Sequence, residues 1–125
     1  MSVLDQFNKQ KYLNLETFRK NGEGMKTPVW FAQDGGIVYV QTVANSGKVK
    51  RIRNNGHVNI TPCKMDGSPI GTWIPAAARE ITDTEIFQRV NHLLDKKYGL
   101  MKKILARQAA KAGRQDTILE IKIIE

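Results

Sequence analysis

The segment Thr42-Val43-Ala44-Asn45-Ser46-Gly47-Lys48-Val49-Lys50-Arg51-Ile52-Arg53 carries residue types suited to holding an anion. A strand ends, a short polar loop follows, and a basic helix begins, with Val49 and Ile52 at helical spacing and Gly56 as its stop. Free backbone N–H groups at a helix N-terminus point outward, and the aligned peptide dipoles favour negative charge there. Ser46 fits the cap position while its hydroxyl also reaches a phosphate oxygen, Gly47 permits close backbone approach, and Lys48 adds an ammonium. Three charge-assisted hydrogen bonds at roughly 1.5–3 kcal/mol each give about 5–9 kcal/mol gross, against ~8 kcal/mol for micromolar binding before association costs. A phosphate alone is therefore held weakly, and a ligand with additional flat apolar surface is held well. The competing reading is a solvated helix face with Ser46 as a plain cap; the full pattern of a Walker-type loop is absent.

Flat surface is available at Trp30 and Trp73, each in an expected strand. Thr27-Pro28-Val29-Trp30 combines a ladder position without a donor with a large ring, which places Pro28 at an edge, at a bulge, or where a ligand meets the backbone. Packing in the core or against a second copy is the plainer account of both tryptophans. A second basic stretch comprises Lys96, Lys97, Lys102, Lys103, Arg107, Lys111 and Arg114, with no acidic residue between Asp95 and Asp116. It suits a solvated face, a wall for an acidic ligand, or nucleic acid, but no aromatic residue follows Tyr98 to stack bases. His57 and His92 are the only histidines and read as ordinary surface or core residues. Cys63 reads as a buried, inert thiol. No nucleophile elbow, metal-binding histidine pair or dinucleotide glycine fingerprint is present, so any catalysis draws its reactivity from a bound cofactor.

The elements that must position these groups are mostly strands. A short N-terminal helix carries Leu4 and Phe7, and alternation marks a strand from Tyr12 to Lys20. Asn21-Gly22 is a hairpin signal, and Met25 to Ala32 reads as the returning strand. Asp34-Gly35-Gly36 turns the chain into a third strand, Ile37 to Thr42; His57 to Cys63 is the fourth, and about Ile70 to Ile81 the fifth. Thr82-Asp83-Thr84-Glu85 has capping-box spacing before a helix with the stripe Ile86, Val90, Leu93 and Leu94. A further helix is expected from about Leu100 to Ala112, then a last strand from Thr117 to Ile124. Short turns argue for antiparallel pairing, and six strands in a small domain hide their edges best by closing into a barrel with helices outside.

The 125 residues fit one domain, 1–125, with 41% hydrophobic and 26% charged residues enough to build a core. Twenty Lys plus Arg against 12 Asp plus Glu give a net charge of +8, which asks for an anionic partner without choosing one. One cysteine excludes an internal disulfide framework and multi-cysteine metal sites. No apolar run approaches the ~20 residues that span a bilayer, and the opening residues lack signal-peptide character. The chain reads as a small cytoplasmic protein without a membrane partner.

Thr17-Phe18-Arg19-Lys20, Thr27-Pro28-Val29-Trp30-Phe31, the Tyr39-to-Thr42 strand, Ser46-Gly47-Lys48-Val49-Lys50-Arg51-Ile52-Arg53-Asn54-Asn55, Pro62-Cys63 and Gly71-Thr72-Trp73 occur in an order and spacing that spans nearly the whole chain. Together they resemble the split β-barrel flavin and deazaflavin oxidoreductases related to pyridoxamine 5′-phosphate oxidase, and most of all their small, single-domain deazaflavin-dependent branch. The resemblance implies a mainly β (α+β), six-stranded antiparallel split barrel with peripheral helices. It implies a homodimer with FMN or the deazaflavin coenzyme (F-420) at the interface, and hydride transfer to or from a small organic substrate. In that likeness Lys26, Thr27, Pro28, Val29 and Trp30 run beside the ring system. Thr42, Ser46, Gly47 and Lys48 hold the phosphate with Lys50 or Arg51 assisting, and Gly71 to Trp73 approach from the second subunit. Those oxidases usually have Ser-Arg-Lys where this chain has Ser46-Gly47-Lys48, and they continue past the last strand, which argues against pyridoxal phosphate synthesis. A carrier of the same cofactor without turnover and a basic nucleic-acid binder are the alternatives.

Overall fold

Alternation of apolar and polar residues dominates the chain, and seven antiparallel strands result. The computed structural model describes residues 3–99 and 115–124. The strands are β1 (Tyr12–Phe18), β2 (Gly24–Val29), β3 (Ala32–Asp34), β4 (Ile37–Val43), β5 (His57–Cys63), β6 (Ile74–Ile81) and β7 (Asp116–Ile123). They form one sheet in the order β2-β1-β5-β6-β7-β4-β3. Two α-helices, α1 (Gly47–Asn54) and α2 (Thr84–Tyr98), and a single-turn 3-10 helix at Val3–Phe7 complete the described chain. The helix expected over 100–112, with Lys102, Lys103, Arg107, Lys111 and Arg114, lies outside the described residues.

The strand expected to run unbroken from Met25 to Ala32 is divided at Trp30 and Phe31, which makes seven strands rather than six. The reason lies in the ladder. β2 pairs with β1, Leu13 opposite Val29, whereas β3 pairs with β4, Ala32 opposite Tyr39. Following the antiparallel pairs around the sheet, β2 and β3 run in the same direction, so one strand path leaves one edge of the sheet and joins the other. The two intervening residues span only roughly 10 Å, so the sheet must curl until its edges meet at Trp30–Phe31. Beyond that crossing the edges part. Among the described residues, Val40 to Val43 pair with β7 alone and the outer edge of β2 has no strand partner. The result is a barrel with an open seam between β2 and the second half of β4.

The inward residues form the main core, with Leu13 and Leu15 of β1, Val38 and Val40 of β4 and Ile60 of β5 all essentially inaccessible. The 3-10 helix stoppers one end through Leu4 and Phe7, whose ring meets Phe31 edge-on at 5.7 Å. α1 stoppers the other through Val49 and Ile52, each contributing on the order of 1.5–3 kcal/mol by burial. α2 packs Val90 and Leu94 on the outer surface over Ala32, Tyr39, Ile81 and Ile118. Its cap is Asp83, whose carboxylate accepts the Ile86 N–H at 3.1 Å, one residue later than the Thr82 capping box. The Asp34-Gly35-Gly36-Ile37 turn requires left-handed backbone at both glycines, with φ of 60° and 80°.

Candidate functional site

At the α1 end of the seam, two inward positions carry hydroxyls instead of apolar groups: Thr17, fully buried near the end of β1, and Thr42 at the end of β4. Each is capped by a cation from α1. Lys48 Nζ donates to Thr42 Oγ1 at 2.9 Å, and Arg51 Nε donates to Thr17 Oγ1 at 2.7 Å. α1 thereby bridges β4, one side of the seam, and β1, the strand next to β2 on the other side.

Neither Lys48 nor Arg51 has a carboxylate partner among the described residues. Burial first, and the Arg51 charge second, push the Lys48 ammonium below the ordinary lysine range. Burial and then the Arg19 charge likewise disfavour protonated Arg51. An atom placed as Cβ on Gly47 would come within 2.8 Å of Arg51 Nη1, so the glycine is what lets the guanidinium fold back against the helix start. Ser46 occupies the cap position with extended backbone, but its side chain makes no capping hydrogen bond. Its Oγ is buried without any partner. The reading of Ser46 as a plain cap is thus corrected: it holds the position and not the bond.

A buried hydroxyl without a partner costs about 1–3 kcal/mol, and beside it stand two half-buried cations without a carboxylate partner among the described residues. Thr42, Ser46, Gly47, Lys48 and Arg51 are brought together at the start of α1. Lys50, exposed on the same helix, stands apart from the Thr42 and Thr17 contacts.

The remaining candidates divide by face. Thr27 and Val29 lie on the inner face of β2, opposite Leu15 and Leu13, beside the seam. Pro28, opposite Asn14, is on an edge strand, one of the three placements open to it. Lys26 points outward, where its Nζ lies 5.3 Å from the centre of the Trp73 ring. Lys26 and Trp73 are therefore partners on the outer side of β2. Trp30, at the crossing, is stacked on Tyr98 of α2 at 4.3 Å. The Tyr98 hydroxyl accepts the Phe31 N–H at 3.1 Å and donates to the Lys11 carbonyl at 2.8 Å.

Thr17 and Tyr98 were missed from sequence, although each had a signal. Thr17 continues the inward series Leu13, Leu15 as a polar residue in an apolar register. Tyr98 continues Val90 and Leu94 at four-residue spacing. His57 is exposed and stacks on Phe18 at 5.7 Å, and His92 is exposed. Burial raises the Cys63 thiol, as expected of an inert cysteine. Among the described residues no cluster of His, Cys, Asp or Glu fits a metal ion, and no helix is long and apolar enough to cross a membrane.

Residues 2–125 match the pyridoxamine 5′-phosphate oxidase family, and the chain belongs to that family. Solved structures share the fold at low sequence identity. HutZ from Vibrio cholerae, described as a heme storage protein, is 14% identical over 98% of this chain and 88% of its own, with a TM-score of 0.74. An FAD-binding protein from Mesorhizobium loti is 16% identical over 100% and 91%, with a TM-score of 0.64. An F420 reductase is 15% identical over 100% and 95%, with a TM-score of 0.56. No curated protein sequence matches. The split barrel inferred from the sequence is the fold observed, with seven strands and a seam in place of full closure.

Proposed function

We propose that the chain binds a flavin-type cofactor, FMN or the deazaflavin coenzyme F-420, along the seam, and transfers a hydride between it and a small organic substrate. The observation that carries this reading is the buried, partnerless Ser46 Oγ beside the uncompensated Lys48 and Arg51. Thr42, Ser46, Lys48 and Arg51 suit a phosphate, which would satisfy the hydroxyl and neutralise the cations together. The edges of β2 and of Val40 to Val43 carry backbone groups with no strand partner among the described residues. Such edges suit a flat ring system that both donates and accepts hydrogen bonds. An FAD-binding protein and an F420 reductase on the same fold support a ligand of this class.

When bound, the cofactor supplies the hydride chemistry. The chain's own part is to anchor the phosphate, to orient the ring against β2, and to close the seam at Trp30, where Tyr98 holds the indole flat. Solvent supplies the proton in this reading. A second copy of the chain completes the groove from the Gly71-to-Trp73 side.

Titration with FMN and with the deazaflavin, followed by absorbance, tests binding. Reduction of the bound cofactor and exposure to quinones, nitro compounds and enones tests turnover. Saturable binding with substrate-dependent reoxidation is expected. Binding with reoxidation no faster than background would make the chain a carrier, and binding of neither molecule would end the reading.

A further inference from the structure

The last arginine of α1 is bound differently from its neighbours. Arg53 meets Glu80 of β6 through two nitrogens, Nε to Oε1 at 2.9 Å and Nη2 to Oε2 at 3.1 Å. Glu80 is held in turn by Thr117 of β7, whose hydroxyl donates to Oε2 at 2.8 Å. Thr117 first, against burial, and then Arg53 keep the Glu80 carboxyl below the usual carboxylate range. The remaining Arg53 nitrogen, Nη1, reaches back along the helix and donates to Asn45 Oδ1 at 2.8 Å. Asn45 stands in left-handed backbone, φ 62°, at the point where the chain turns from β4 into α1. Its neighbour is Ser46.

We infer that Arg53, fixed by Glu80, is a positioning residue for the proposed anion site, holding Asn45 in the conformation that sets Ser46 and the first N–H groups of α1. The inference rests on the proposed phosphate site and extends it to residues that touch no ligand. The guanidinium is oriented by a bidentate carboxylate, which leaves one donor aimed in a defined direction. Asn tolerates left-handed backbone better than most residues, but not as freely as glycine. The Arg53 bond therefore selects a conformation that Asn45 would otherwise leave part of the time. Of the four cations on α1, Arg53 alone has a carboxylate partner among the described residues. Its charge is spent on the scaffold, while those of Lys48 and Arg51 remain for the ligand.

Amide hydrogen exchange on the ligand-free protein tests this, in Arg53→Met, Asn45→Ala and Asn45→Gly. In the first two, exchange of the Ala44 and Ser46 amides, which donate to the Gln115 and Val43 carbonyls, should quicken by about tenfold while the amides of β1 and β5 keep their protection. Asn45→Gly, which keeps the left-handed turn without the bond, should lie between them and the native protein. Where the native chain binds FMN, Arg53→Met should lower FMN affinity about fivefold or more and leave riboflavin affinity unchanged, because only the phosphate end is displaced. Unchanged loop exchange, or an equal loss of protection throughout the sheet, would overturn the inference. If the native chain binds no flavin, the phosphate reading fails, and the exchange pattern still decides whether Arg53 orders the loop.

Discussion

Tyr98 lies flat against Trp30, with ring centroids 4.3 Å apart and planes 6° from parallel. This contact sits where the strand path crosses from one edge of the sheet to the other. The same phenol accepts the Phe31 N–H and donates to the Lys11 carbonyl, so one residue of α2 ties together β2, β3 and the entry to β1.

Replacing Tyr98 by Phe keeps the stacked ring and removes the acceptor of a part-buried N–H. A loss of about 1–3 kcal/mol is expected. Tyr98→Leu forfeits the aromatic pair as well, a further ~0.5–1.5 kcal/mol beyond area. Urea unfolding of both variants measures the two steps. A Phe variant as stable as the native protein would remove the hydrogen bond from the account.

Ser46→Ala separates a cap from a ligand. An N-cap serine that makes its bond costs about 0.5–2 kcal/mol when replaced by alanine. Here the bond is absent and the hydroxyl is buried unpaired. The ligand-free variant should therefore match or exceed the native protein in stability while binding FMN several-fold more weakly. Thermal unfolding with and without FMN checks both halves. Loss of ligand-free stability on the usual capping scale would contradict the assignment.

Stability at alkaline pH should pass through a maximum at the α2 terminus. Lys97 Nζ lies 3.4 Å from the centre of the Phe31 ring and donates to the Phe31 carbonyl at 3.0 Å, and burial lowers its pKa from 10.5 to about 8. Between these values the unfolded chain binds more protons than the folded one, so this group makes stability rise with pH. Burial, against the Phe31 bond, raises Tyr98 from 10.0 to about 12. From 10 upward the unfolded chain loses that proton first, so stability falls. Urea midpoints across this range should show the rise flattened in Lys97→Met and the fall flattened in Tyr98→Phe. Identical profiles in native protein and variants would refute the assignment of either group.

The strands were legible in the sequence because alternation reports which face is buried, and the glycine pairs report where the chain turns. The break at Trp30 and Phe31 was not, because nothing local marks a strand that changes neighbours. It follows from the curl of the whole sheet. The start of α1 was legible at Ser46, Gly47 and Lys48, which lie together in sequence. Thr17 and Glu80 belong to other strands and join it only through the register. Lys26 and Trp30, adjacent in the same motif, end on different partners because side chains alternate along β2 and the crossing turns Trp30 toward α2.

The central claim is that this helix start receives a phosphoryl group. Its most direct test is the ratio of FMN to riboflavin affinity in the native protein and in Lys48→Met, read by quenching of flavin fluorescence. The two ligands differ only in the phosphate. The native chain should prefer FMN by about a hundredfold, in line with the roughly 1.5–3 kcal/mol of one charge-assisted bond, and Lys48→Met should remove most of that preference. Equal affinity for the two flavins in the native protein, or a preference that survives the loss of Lys48, would contradict it.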